Sequence, residues 1–165
     1  MSISSHSVLP LTTILVRFTG ARGEFSRAVE PPHGDPASIV GRISSMFEEF
    51  AQAEGLADQA RRSVLLVLDE LLSNALSYSV DVRDGYALGV RATAFEDRVE
   101  LEVSDDGQPF DPTEAASAVP EGALEERPVG GLGLVLVRRL MDEVEYRRAD
   151  GLNVVRLIKY RAESS

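Results

Sequence analysis

The chain has 165 residues, of which 44% are hydrophobic and 27% charged, and a formal net charge of −10. That is one ordinary domain with enough apolar content for a real core, which excludes a disordered chain. The acidic balance argues against a nucleic-acid partner; no apolar run reaches the roughly 18 residues of a membrane span; and the lack of cysteine removes disulfides, thiolate metal sites and cysteine nucleophiles.

In chain order, Met1 to Pro10 lacks the basic and apolar regions of a secretory signal, so a cytoplasmic location is expected. Leu9 to Phe18 and Glu24 to Glu30 read as strands within an N-terminal extension, residues 1–34, whose role is left open. After the breaker cluster Pro31-Pro32-His33-Gly34, Asp35 as N-cap and Pro36 at the first helical position open a helix. Ile39, Val40, Ile43, Met46, Phe47 and Phe50 form its apolar stripe, and Gly55 ends it. Asp58 caps a second helix, Gln59 to about Ser77, rich enough in Leu and Val to predict burial on most sides. Tyr86 to Phe95 and Arg98 to Ser104 read as strands joined at Glu96-Asp97, the second alternating Val99, Leu101, Val103 with Glu100, Glu102, Ser104. Asp111 to Val129 shows little periodicity, the mark of a lid or binding loop. Leu134 to Met141 reads as a short helix, followed by strands Val144 to Arg148 and Asn153 to Lys159 joined at Asp150-Gly151, and a tail, residues 162–165.

Three clusters carry candidate chemistry. Glu70 and Asn74, four residues apart, lie about 40° apart on one helix face. Such a pair suits a Mg²⁺ site in which the amide ligates the metal and the carboxylate takes a proton. The competing reading is a solvent-facing stripe. Asp105 falls on the inward side of its strand, where an unpaired carboxylate is costly unless something donates to it, such as the amine of adenine; Gly107 would let the backbone pass close to a flat ring. Here the alternative is a plain Asp-Asp-Gly turn. Gly130-Gly131-Leu132-Gly133 runs straight into a helix, where N–H groups converge on an anion. It fits neither a Rossmann nor a Walker pattern, and Arg138 and Arg139 beyond it are also compatible with a solvated face.

Singly these signals are ambiguous; in this order and spacing they resemble a known family. Asp69-Glu70-Leu71-Leu72-Ser73-Asn74-Ala75 resembles the N box of the GHKL ATPase superfamily (the Bergerat ATP-binding fold). Ser104-Asp105-Asp106-Gly107-Gln108-Pro109-Phe110-Asp111-Pro112 resembles its first glycine box, and Gly130-Gly131-Leu132-Gly133-Leu134-Val135-Leu136-Val137 its second. The Pro-Phe-Asp-Pro variant, with Met141-Asp142-Glu143-Val144-Glu145-Tyr146 further on, is similar to the anti-sigma-factor serine/threonine kinases. The likeness spans roughly residues 36–160, with 35–161 as the ATPase domain.

The resemblance implies an ATP-binding anti-sigma regulator that phosphorylates a serine or threonine on an antagonist protein and sequesters a sigma factor, with ATP and Mg²⁺ as cofactors. Glu70 would be the general base and Asn74 the Mg²⁺ ligand. Asp105 and Gly107 would hold adenine; Gly130, Gly131, Leu132, Gly133 and Leu134 would present N–H groups to phosphate. Asp111 to Val129 would form the lid. Relatives often dimerise, which makes a homodimer an expectation. Pro109, Ser77 and Tyr78 depart from the wider superfamily pattern, the last two removing one phosphate contact. A sensor histidine kinase is disfavoured, because His6 and His33 sit in no helical Ser/Ala-His-Glu setting. The rival from another class is a non-catalytic nucleotide-binding module that only holds a regulator. The element order predicts an α+β two-layer sandwich, a mixed, mostly antiparallel sheet with helices on one face.

Overall fold

A computed structural model of the chain describes residues 13–29, 36–79, 87–117 and 131–161. Strands β1 (Thr13–Gly20) and β2 (Gly23–Val29) form a hairpin, and helices α1 (Pro36–Ala53) and α2 (Asp58–Ser79) follow. Next come β3 (Ala87–Ala94), β4 (Arg98–Asp105), α3 (Pro112–Ser117), α4 (Gly131–Leu140), β5 (Glu143–Ala149) and β6 (Leu152–Tyr160). The sheet order is β2-β1-β3-β4-β6-β5, antiparallel throughout except for the parallel β1–β3 pair. The architecture is the expected α+β sandwich with a mixed sheet.

Period-two alternation decides which side of the sheet the helices cover. Ile14, Val16 and Phe18 of β1 point the same way as Leu88, Val90 and Ala92 of β3, Val99, Leu101 and Val103 of β4, and Val155 and Leu157 of β6. All are buried, and they form one core with Ile43 and Phe47 of α1 and Val64, Leu68, Leu72 and Leu76 of α2. The opposite face is charged: Glu100 accepts from both Arg98 and Arg156 at 3.0 Å, and Arg156 also reaches Glu145 at 3.3 Å. Of the two strands ahead of residue 35, β1 shares this core, while residues 23–27 of β2 are exposed. Phe18 packs edge-on to Phe47 (5.9 Å between centroids) and against Phe50 (5.2 Å), clamping the first hairpin to α1.

Several boundaries differ from the sequence reading, each for a local reason. Gly55 does end α1, at φ 72°; its N–H bonds the Gln52 carbonyl at 3.1 Å and the Leu56 N–H bonds that of Ala51 at 2.9 Å, a Schellman closure. Asp35 lies outside the described residues. Asp58 sits inside the first turn of α2 rather than before it, and its carboxylate pairs with Arg61 at 2.9 Å. Helix α2 is covered on most sides, as its apolar content predicted, and one stripe stays exposed: Gln59, Arg62, Leu66, Asp69 and Ser73, with Leu66 an apolar member at 43% exposure. The β-sheet, α1 and α4 cover the other faces.

Candidate functional site

Glu70 and Asn74 stand one turn apart on α2, just off the exposed stripe, and both are half-buried. The adjacent acids Asp69 and Glu70 differ in their commitments. Asp69 accepts from the hydroxyl of Ser44 on α1, whereas the Glu70 side chain takes part in no hydrogen bond or ion pair among the described residues. The Asn74 side-chain nitrogen is buried and, among the described residues, has no partner. An amide can present its oxygen or its nitrogen at nearly the same place, and leaving a buried polar atom unpaired costs roughly 1–3 kcal/mol. An amide kept there unsatisfied fits a ligand that would complete it. Among the described residues no group of three or more His, Cys, Asp or Glu could hold a metal by itself. An amide with a carboxylate one turn away suits Mg²⁺, which keeps waters and takes substrate phosphate oxygens alongside one or two protein groups.

The second cluster is a row across three strands. The Asp150-Gly151 turn, with φ 52° and 76°, closes the β5–β6 hairpin at the Ala149–Leu152 pair. Two consecutive positive φ values make the turn whose twist matches the flanking strands. Its register sets Arg148 opposite Asn153, and β6 in turn sets Asn153 opposite Asp105 at the end of β4. Residues directly opposite share a face, so Asp105, Asn153 and Arg148 all lie on the helix-covered side.

Asn153 is the buried polar side chain of this region, 4% exposed, and all its hydrogen-bonding capacity is used. Its Nδ2 donates to Asp105 Oδ1 at 3.1 Å and to the Gln108 carbonyl at 2.7 Å. Its Oδ1 accepts from the Tyr146 hydroxyl at 2.7 Å and the Phe110 N–H at 3.2 Å. Asp105 Oδ1 also accepts from the Gly107 N–H at 2.9 Å, and Arg148 donates to the Gly107 carbonyl at 2.8 Å. Burial pushes the Asp105 carboxyl above its ordinary range, a rise opposed by the hydrogen bonds from Asn153 and Gly107 and by the Arg148 charge, and reinforced by Asp106. Among the described residues Oδ2 accepts no hydrogen bond. The carboxylate thus has one saturated oxygen and one available to a ligand's N–H. Asp106 is differently employed: it accepts from the Ala87 N–H at 3.0 Å and closes the β3–β4 edge.

The third cluster lies partly within a helix. Gly130 is outside the described residues; Gly131, Leu132 and Gly133 form the first turn of α4, which begins three residues earlier than the sequence suggested. Leu134 follows in the next turn. First-turn N–H groups have no intrahelical partner, so an anion can still be received there. Helix α4 packs against α2, the helix that carries Glu70 and Asn74. Arg138 and Arg139 are exposed in its last turn, a solvated face favourable to the helix dipole.

The segment expected to be a lid starts with structure. Asp111 Oδ1 accepts from the Thr113 N–H at 2.8 Å, and buried Pro112 opens α3, a cap and first-turn proline legible in the sequence but not used. Residues 118–129 lie outside the described set. Ser77 and Tyr78 are in the last turns of α2.

Sequence reasoning missed Asn153, Tyr146 and Arg148. One signal was present: an Asn in an otherwise apolar strand, where that residue is disfavoured, three residues after Asp150.

Comparison with known proteins bears on this geometry. Residues 34–159 match the family model of the histidine kinase-like ATPase domain. The chain is 31% identical over 121 residues to serine/threonine-protein kinase BtrW of Bordetella bronchiseptica, covering 72% of this chain and 84% of that one. It is 30% identical over 125 residues to serine-protein kinase RsbW of Listeria monocytogenes, covering 73% and 78%. Among solved structures, the catalytic domain of histidine kinase ThkA is similar with a TM-score of 0.50 at 16% identity, covering 75% of this chain and 91% of that one, a likeness of fold.

Proposed function

The chain belongs to the histidine kinase-like ATPase domain family, and we propose that it is an ATP-dependent protein serine/threonine kinase of the anti-sigma type. On this reading it binds a sigma factor and phosphorylates a small antagonist protein, in the cytoplasm, with residues 35–161 as the catalytic unit. The observation that carries it is the Asp105 carboxylate, held by Asn153 and Gly107 through one oxygen and left with the other available. Serine kinases similar over nearly three-quarters of the chain support the rest.

The available oxygen of Asp105 accepts the exocyclic amine of adenine, and buried Gly107 leaves room for the ring. First-turn N–H groups of α4 receive phosphate oxygens, which an acidic protein otherwise repels. Asn74 would hold Mg²⁺ through its amide oxygen; the ion supplies neutralisation of phosphate charge. Glu70 takes the proton from the substrate hydroxyl as that oxygen bonds to the γ-phosphorus and the bond to the β,γ-bridging oxygen breaks, releasing ADP.

Calorimetric titration with ATP, with and without Mg²⁺, followed by γ-phosphate transfer to proteins captured by the chain, tests this. Uptake of ATP with serine phosphorylation is expected. Uptake without transfer would leave a binding module, and no uptake at millimolar ATP would end the reading.

A further inference from the structure

Gly107 has no side chain to hold its backbone in one orientation, and glycine loses the most freedom on being fixed. Yet it is buried, and both its polar groups are tied, the N–H to Asp105 and the carbonyl to Arg148. The next carbonyl, of Gln108, and the Phe110 N–H are both held by Asn153. The Tyr146 hydroxyl fills the remaining capacity of that amide at 2.7 Å. The ties from Arg148 and Tyr146 come from β5, an edge strand paired with β6 alone. They reach the turn because the Asp150-Gly151 hairpin sets the register; a slip of one residue would send both side chains to the charged face.

We propose that Arg148 and Tyr146 are positioning residues for base recognition, which fix the Gly107 turn before nucleotide arrives so that Asp105 meets the base already aligned. The inference rests on Asp105 being the adenine acceptor. Neither side chain need touch the nucleotide. Each instead removes disorder from a glycine turn that binding would have to remove, and such preorganisation raises affinity without adding a contact. A loop left free would also let Asp105 rotate, and an acceptor with no fixed direction discriminates poorly between an amine and a carbonyl at the same place on a purine.

The test compares the wild-type chain with Arg148→Met, Arg148→Lys and Tyr146→Phe, measuring adenosine, ATP and GTP affinities by calorimetry, together with ATP affinity across pH. Arg148→Met should weaken adenosine and ATP by the same factor, roughly 5- to 20-fold, because the loss is on the base side. Its acid limb of ATP binding should move to higher pH. Among the described residues two charged groups act on Asp105: Asp106 favours its neutral form and Arg148 its ionised form. Arg148→Lys, which keeps a charge and a donor, should restore most of that limb. Tyr146→Phe should narrow the ATP-over-GTP preference while the fold melts normally. A purely structural role for the two side chains would lower the melting temperature and leave the pH limb in place. Wild-type selectivity with variants that keep both selectivity and pH limb would overturn the proposal alone. A wild-type chain indifferent between adenine and guanine would overturn the adenine reading and this proposal with it.

Discussion

Asp105 and Asn153 are register partners across β4 and β6, joined by a 3.1 Å hydrogen bond from the amide to the carboxylate. The bond orients a carboxylate that burial nevertheless pushes toward its neutral form. If Asp105 is the adenine acceptor, function and folding make opposite demands on that group.

The conflict gives a signed prediction. Because Asp105 has a folded pKa raised above its unfolded value, the folded chain binds the extra proton between the two values. Its contribution to stability therefore falls as pH climbs through that interval and stays lowered above it. Asp105→Asn should leave the nucleotide-free protein at least as stable as wild type at pH 7, with the difference closing below about pH 4. Scanning calorimetry reads this, and a lower melting temperature at pH 7 would mean that the hydrogen bonds to Oδ1 outweigh burial.

The same substitution should weaken ATP by roughly 10- to 150-fold, the loss of one charge-assisted hydrogen bond of about 1.5–3 kcal/mol. GTP binding should change far less. Equal losses for the two nucleotides would remove Asp105 from adenine recognition.

Glu70→Gln keeps the shape of the side chain and removes its basicity. Serine phosphorylation should drop by about 10²- to 10⁴-fold while ATP affinity stays within about threefold. An unchanged transfer rate in a single-turnover assay takes Glu70 out of the mechanism.

Asn74→Ala removes a buried nitrogen that has no partner among the described residues. Magnesium should tighten ATP binding to the wild-type chain and have little effect on the variant, whose nucleotide-free melting temperature should not fall, since the buried amide is unsatisfied before ligand arrives. Calorimetry in magnesium and in chelator separates the outcomes; equal magnesium enhancement in both proteins would move the ion elsewhere.

Gly151→Ala tests the hairpin that sets the register. At φ 76° an added Cβ meets nothing within 4 Å, so the penalty is backbone strain alone, about 1–2 kcal/mol. Urea denaturation should show that loss, and no change would mean that the turn relaxes to another conformation without consequence.

The glycine-rich and acidic motifs were legible in the sequence because each depends on local rules. Four-residue spacing puts Glu70 beside Asn74 on any helix, and alternation puts Asp105 on the inward side of any strand that continues Val99, Leu101 and Val103. The helix starts at Pro36 and Pro112 were equally local, though the second was read as loop because a short helix leaves little periodicity. The burial of most of α2 was legible in its Leu and Val content, but not which stripe stays open. Composition reports how apolar a helix is, while its neighbours decide which faces they cover.

What the amino-acid order determined by itself was most of the elements, the mixed sheet with its helices, and the candidate residues proposed to accept adenine and bind a metal. What tertiary structure alone decided was which of those residues are already committed and which are left for a ligand. Asp69 is held by Ser44 of α1 and Asp106 by the Ala87 N–H, while Glu70 and one oxygen of Asp105 have no such partner among the described residues. Asn153, Tyr146 and Arg148 join the site only because two hairpin registers align three strands. The physical reason is range: helix and strand periods act over a few residues, whereas a hydrogen bond between positions 105 and 153 exists only after the chain between them has folded back.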